Sequence, residues 1–342
     1  MHCTLLVADL LLPSSSDAGL YRELPLPNLA RLLARGAKNR HTALSMESWL
    51  CTAFGIERQR DWPIAALTLT GDGADPGAGY WLRCDPAHLR PQRGQLLLAG
   101  GDQIAPTLDE AHALIATLNA HFIRDGITFI TPHPERWYLN VPIPPALSTH
   151  EFSEVAGRDI HPFLPAGDDR LRWHQRLNEV QMLLHEHPVN EARAALNKPA
   201  INSVWLWGGG VLPEVSGRPY TRVWSDDLLP RVLATRSQIP AHALPRTATT
   251  VVDSAAGDTG NQLVVVSQLR AAARNGDIER WRTALMTLEH NWVAPLHEAL
   301  RRRRISGLTL IGVNLQHCMQ CEITARDLWK FWRRTRSPAC HA

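Results

Sequence analysis

The sequence has 342 residues, of which 44% are hydrophobic and 20% charged, with a formal net charge of +3. That balance excludes a disordered, collagenous or coiled-coil chain and supplies enough apolar side chains for a large core, in more than one ordinary domain. No apolar run reaches the roughly 20 residues of a membrane span, and six scattered cysteines are too few for a disulfide scaffold in a chain this long.

The apolar run at 5–12 opens the chain. Asp9 interrupts it and no Lys or Arg precedes it, so it reads as a first strand rather than a secretory signal, and it leaves into a loop at 13–16. Pro27 and Asn28 start a helix with Leu29, Leu32 and Leu33 on one face, which Gly36 ends. After a turn-rich stretch at 71–79 come strands at 80–83 and 95–99. Thr107-Leu-Asp-Glu110 is a capping box opening a helix with Ala111, Leu114, Ile115 and Leu118 buried. A connector at 142–145 leads to a helix at 171–187, with Trp173, Leu177, Val180 and Leu184 at helical spacing. Strands are expected at 201–207, 249–252, 263–266 and 308–313, with a helix from Ile278 to Leu300 between the last two. Strands alternating with helices imply an α/β fold whose mostly parallel sheet is sandwiched by helices.

Charge is uneven along this order. From Arg270 onward 13 Lys and Arg stand against 6 Asp and Glu, so the basic character belongs to the last fifth. The arginines at 301–304 and the run 326–336, interleaved with Trp329, Phe331 and Trp332, have the composition of a nucleic-acid or anionic-surface contact. Trp329 and Trp332 at a three-residue spacing favour a terminal helix docked on the core instead. Cys318 and Cys321 form half of a zinc site without a second half nearby. The glycines at 208–210 lack the Lys-Ser/Thr of a phosphate loop and read as a tight turn at a strand end.

The most specific stretch is His187-Pro-Val-Asn190-Glu-Ala-Arg193, followed by Asn197-Lys-Pro-Ala-Ile-Asn202-Ser-Val-Trp205-Leu-Trp207-Gly-Gly-Gly210. It resembles a block of the archaeal-type cofactor-independent phosphoglycerate mutases of the alkaline phosphatase superfamily. Further segments resemble the same family in order: Asp9 at the end of the opening strand, Pro27-Asn28-Leu29, Arg83-Cys84-Asp85, Gly157-Arg158-Asp159-Ile160, and Gly276-Asp277. The Trp-rich block at 205–207 and the ending 327–334 resemble a bacterial branch known as regulatory proteins of the pathogenicity-factor E type.

The resemblance implies an alkaline-phosphatase-like core at 1–75 and 210–342 with a smaller α/β substrate-type domain inserted at 76–209. It also implies a Ser or Thr nucleophile and two metals held by Asp and His. Of the family's ligands only Asp9 has a clear counterpart. Arg270 and Arg274 align with an Asp-x-x-x-His pair, the second Asp-His pair falls near Val313-Asn314, and the nucleophile region, Ser45-Met46-Glu47-Ser48, lacks an evident activator. The expected protein is therefore catalytically degenerate, without metal, cofactor or catalytic residues. It is expected to be cytoplasmic and regulatory, binding a small phosphorylated or carboxylated ligand through Arg83, Asp85, Arg158, Asn190 and Arg193, or a protein partner. The rival readings are an active metal-dependent phosphomutase or phosphatase and, more weakly, a nucleic-acid-associated regulator using the basic C-terminus. Neither nucleic acid nor a membrane is the expected partner.

Overall fold

The computed structural model describes every residue except 13–19, 22, 43–44, 255–258 and 342, so the loop expected at 13–16 lies outside the described residues. The described strands are β1 (His2–Ala8), β2 (Ala37–Thr42), β3 (Tyr80–Gln92), β4 (Gln95–Gly100), β5 (Thr128–His133), β6 (Arg136–Val141), β7 (Ser203–Gly210), β8 (Arg222–Trp224), β9 (Ala241–His242), β10 (Asn261–Val266), β11 (Gly307–Val313) and β12 (His317–Thr324). Among the described residues no helix is long and apolar enough to cross a membrane.

The chain divides into a core unit, Met1–Gly55 with Val215–Ala342, and an inserted unit, Ile56–Glu214. The division falls earlier than the boundary expected at residue 75. The helix Ile64–Gly71, expected with the first segment, is buried on all but its last two residues and packs on β3 and β7 of the inserted unit.

In the core unit the sheet order is β2-β12-β11-β1-β10-β8-β9. β11, β1, β10, β8 and β9 run parallel, and β12 and β2 add an antiparallel edge. Strands buried on both faces must be apolar without alternation, and β11 is buried at every position. Cys3, Leu5, Val7, Val264, Val266, Leu308 and Leu310 pack on one face against side chains of the helices Pro27–Arg35, Ala248–Ser254, Ile278–Leu288 and Ala294–Arg301. The first of these helices lacks a side-chain cap of its own. Buried Glu289 supplies one from 260 positions away, its Oε1 accepting from Asn28 N at 2.7 Å and its Oε2 from Leu29 N at 3.0 Å, where a carboxylate suits the positive end of the dipole.

Residues 249–252, expected as a strand, form the middle of the helix Ala248–Ser254. Their β-branched composition suggested a strand, but the buried residues are Ala248, Val251 and Val252, a helical stripe. Burial of that stripe outweighs a propensity cost of only a few tenths of a kcal/mol per residue.

The inserted unit has an antiparallel sheet, β4-β3-β6-β5 with β7 also pairing β3. Leu82, Cys84, Leu139, Val204 and Leu206 pack on one face with Leu114, Leu118, Trp173 and Leu177 of the helices Leu108–Phe122 and Arg170–His185. The capping box at Thr107 and Glu110 forms as read from the sequence. The glycines at 208–210 do not make a turn. They lie inside β7, where the register against β3 slips between Trp81 and Arg83, and Gly208 takes φ +64, the bulge conformation that glycine adopts without strain. A Cβ on Gly210 would stand 2.6 Å from Pro63 Cβ, so the triplet lets residues 63–65 approach the strand.

Candidate functional site

In parallel sheets, functional side chains collect beyond the carboxyl ends of the strands. At that end of the core unit's sheet Asp9 follows β1, Ser225 follows β8, Ser267 follows β10 and Asn314 follows β11. Asp9 is only 3% exposed and has φ +53, a conformation an L residue holds only where its surroundings fix it. Its backbone is clamped by Asp9 N donating to Val313 O at 2.7 Å and by Trp281 Nε1 donating to Asp9 O at 2.9 Å.

Two arginines meet the carboxylates there. Arg274 Nε donates to Asp9 Oδ2 at 3.1 Å, and Arg270 Nη2 lies 2.7 Å from both oxygens of Glu47. Arg270 and Arg274 project from the helix Arg270–Arg274, and Glu47 from the first turn of the helix Met46–Ala53. Asp227, the residue before the helix Leu228–Arg236, makes no side-chain cap bond to it and instead accepts from Ser267 Oγ at 3.0 Å. Burial pushes the Asp9 carboxyl above its ordinary value, against the nearby charges of Arg274 and Arg270, and burial raises Asp227 likewise. Burial disfavours the Arg270 cation, yet Glu47 and then Asp9 and Asp227 hold its pKa above the ordinary value. Burial, with the charge of Arg270, lowers Arg274.

This set does not fit the two-metal centre that the fold implies. Divalent ions need anionic or neutral donors, and here guanidinium groups, which cannot donate an electron pair, occupy Asp9 and Glu47. Among the described residues no group of three or more His, Cys, Asp or Glu is placed to hold a metal ion. Ser45, the hydroxyl expected in the nucleophile region, caps its helix by accepting from Ser48 N at 3.0 Å and donates to Ser48 Oγ at 2.8 Å. Asn314 closes a turn, its Oδ1 accepting from Gln316 N and His317 N. Cys318 and Cys321, three apart on β12, lie on opposite faces of the strand and cannot share an ion. Burial raises both thiols, Cys321 to about 12, which disfavours the thiolate a metal needs.

The five expected ligand residues all belong to the inserted unit, where they divide among four sets of partners. Arg83 and Asp85 bind each other: Arg83 Nη2 and Nε donate to Asp85 Oδ1 at 2.7 and 2.9 Å. The guanidinium lies over the rings of Tyr138 and Trp207 at 5.2 and 5.1 Å, and Trp207 Nε1 donates to Asp85 Oδ2 at 2.7 Å. Burial opposes the Arg83 charge, but the adjoining Asp85 carboxylate holds it firmly protonated. Asn190 donates to Leu184 O and Ile201 O and accepts from Ile201 N. Arg193 is fully buried and donates to Pro199 O, Ile104 O and Glu110 Oε2. Asn190 and Arg193, expected to face a ligand, make these bonds within the inserted unit, to the segment entering β7 and, for Arg193, to Ile104 and Glu110 as well. Arg158 is exposed, donates to Glu154 O at 3.1 Å and stacks over Phe163 at 4.4 Å.

Sequence reasoning missed Glu47, Asp227 and a further carboxylate, Asp72. An acid just past a buried strand could have signalled Asp227; Glu47 and Asp72 carry no local signal. Asp72 accepts from Arg136 Nε at 2.8 Å and Nη2 at 2.5 Å, and from Tyr138 Oη at 2.5 Å. Burial pushes its pKa up, but these bonds and the Arg136 charge hold it below the ordinary carboxylate value. A depressed folded-state pKa gives stability that is present above the unfolded value, about 3.9, and is lost as pH falls through the folded one. In acid titrations followed by circular dichroism, the parent should lose stability below about pH 4 more steeply than Asp72→Asn. Equal slopes would show that the Asp72 cluster does not contribute.

No family model matches the chain. It is 27% identical over 165 residues to the 2,3-bisphosphoglycerate-independent phosphoglycerate mutase of Methanothrix thermoacetophila, covering 44% of this chain and 42% of that protein. It is 29% identical over 111 residues to the Methanosarcina mazei enzyme, 31% of this chain and 27% of that one. With the probable mutase of Geobacter sulfurreducens it shares 33% identity over 63 residues, 18% and 16% of the two chains. The chain thus spans less than half the length of the curated relatives it matches. Among solved structures, a Pyrococcus horikoshii protein superposes with a TM-score of 0.54 at 13% identity, over 94% of this chain and 87% of that one. The cofactor-independent phosphoglycerate mutase of Thermoplasma acidophilum gives 0.47 at 14% identity, over 94% and 89%. The fold of this chain is phosphoglycerate mutase-like, of the alkaline phosphatase type.

Proposed function

We propose that the chain is a catalytically degenerate, metal-free relative of the phosphoglycerate mutases that works by binding a small phosphorylated or carboxylated ligand in a regulatory role. The observation that carries this reading is the pairing of Arg274 with Asp9 and of Arg270 with Glu47, which places two fixed cations beside the carboxylates a metal would need. Tethered guanidinium groups supply positive charge without Lewis acidity and generate no metal-bound nucleophile. Arg274 Nη1 is buried with no hydrogen-bond partner among the described residues. A buried donor without an acceptor is costly, and a phosphate or carboxylate oxygen would satisfy it. The likeness of the sequence at 205–207 and 327–334 to the bacterial regulatory branch agrees with such a role.

Purified protein should carry no stoichiometric manganese or zinc by elemental analysis and show no phosphatase or mutase turnover when either metal is added. Two tightly bound metals per chain would overturn the degenerate reading. Inorganic phosphate or 3-phosphoglycerate at about 100 times its Kd should stabilise the fold by about 2.7 kcal/mol, seen as a rise in Tm. Arg274→Gln should remove that rise. A flat response of the parent to a broad phosphate and carboxylate series would remove the ligand from the proposal.

A further inference from the structure

The segment that ends the sequence does not pack as its spacing suggested. Instead of a helix docked through Trp329 and Trp332, residues Asp327–Trp329 make one short 3-10 turn, and the aromatics that follow project outward. Trp329 is 74% exposed, Phe331 79% and Trp332 67%. Three large aromatics exposed within four residues are unlike the scattered apolar side chains of an ordinary surface. The segment is nonetheless fixed to the core unit. Arg35 Nη1 donates to Leu328 O at 2.6 Å, Arg333 Nη1 donates to Arg35 O and Gly36 O at 3.3 Å, and Lys330 Nζ pairs with Asp327 at 2.5 Å. The aromatics are therefore held out on an anchored knuckle.

Around them cations outnumber acids. After Asp327 the sequence carries Lys330, Arg333, Arg334 and Arg336 and no acid. The neighbouring edge strand β2 is exposed along its whole length and adds Lys38 and Arg40, on the face of the sheet shared with Cys321 and Met319. Burial first, and then the charges of Arg333, Arg40 and Arg336, lower the pKa of Lys38, so the basic groups of the two segments lie within electrostatic reach of one another.

We propose that this aromatic knuckle and its basic rim form a peripheral docking surface for an anionic lipid bilayer. Tryptophan settles at the headgroup level, Phe331 has no polar atom and gains most at the acyl boundary, and Lys and Arg are drawn to anionic headgroups. Single-stranded nucleic acid would also meet cations and rings, but it needs ring faces on which successive bases can stack. Phe331 and Trp332 instead stand edge to face, with centroids 5.4 Å apart and planes at 78°, forming one compact apolar knob. The proposal does not depend on the ligand-binding reading, because none of these residues belongs to the cluster around Asp9.

The test is co-sedimentation of the full chain with phosphatidylcholine vesicles, with and without phosphatidylglycerol, at low and high salt, alongside binding of a fluorescent single-stranded oligonucleotide. The parent should bind the anionic vesicles about tenfold or more tightly than the neutral ones, and less so at high salt. The triple variant Trp329→Ala, Phe331→Ala, Trp332→Ala should lose vesicle binding with an unchanged melting curve, since the side chains it removes are largely exposed. Arg334→Gln with Arg336→Gln should lose the preference for anionic lipid. Absence of parent binding, binding that survives both variants, or tighter binding to the oligonucleotide through the same residues would each overturn the proposal.

Discussion

Arg193→Ala should lower the stability of the inserted unit by about 4 kcal/mol, the scale of truncating a large, fully buried side chain and leaving its hydrogen-bond partners unpaired. The guanidinium has no solvent exposure and reaches three separate segments, at Ile104, Glu110 and Pro199. Its loss leaves two carbonyl oxygens without this donor and opens a cavity that neighbouring side chains fill only in part. Glu110 Oε2 keeps the Thr107 N–H of the capping box, at 2.8 Å, but loses its cation. Thermal melting should show Tm lower by about 10 °C, and Arg193→Lys should recover only part of that, because an ammonium cannot reproduce the planar fork. An unchanged Tm together with a lost phosphate response would instead make Arg193 a ligand-facing residue.

The second large effect is expected at Arg83 and Asp85. Asp85→Ala should cost about 3–5 kcal/mol, since it strands a buried guanidinium and removes the acceptor for Trp207 Nε1–H. Arg83→Met should be comparably harmful alone, leaving a buried carboxylate whose remaining side-chain donor is Trp207. Combined, the two changes should cost far less than their sum, because neither charge is then left unpaired, and a thermodynamic cycle from urea melts should show coupling of about 2 kcal/mol or more. Additive losses would mean that each residue works through separate contacts, such as the stacking of Arg83 on Tyr138 and Trp207.

Much of the architecture was readable because it rests on local physics. The runs that became β1, β7, β10 and β11 are mostly apolar without polar-apolar alternation because both faces of those strands are buried. The helix at Thr107 announced itself through its capping box and the one from Ile278 through apolar residues in steps of three and four, while the cap at Asp277, whose Oδ1 accepts from Arg280 N at 3.0 Å, came from the structure. The stretch at 249–252 misled because β-branched residues suit a strand in isolation, and only the neighbouring helices revealed which face would be buried. At Trp329 and Trp332 a helical spacing predicted docking, yet spacing says nothing about whether a surface is there to receive the side chains.

The candidate site was legible in a different sense. The sequence by itself determined that Arg270 and Arg274 stand four residues apart where the resemblance calls for metal ligands, and that Asp9 ends the first strand. Only the tertiary structure decided that these cations turn toward Asp9 and Glu47, residues more than 220 positions away, and that Asn190 and Arg193 spend their hydrogen bonds on the backbone and on Glu110. The difference has a physical cause. Strand, cap and helix stripe are fixed by residues within a few positions of one another, whereas the partner of a buried charge is whichever opposite charge or carbonyl the packed chain brings within about 3 Å.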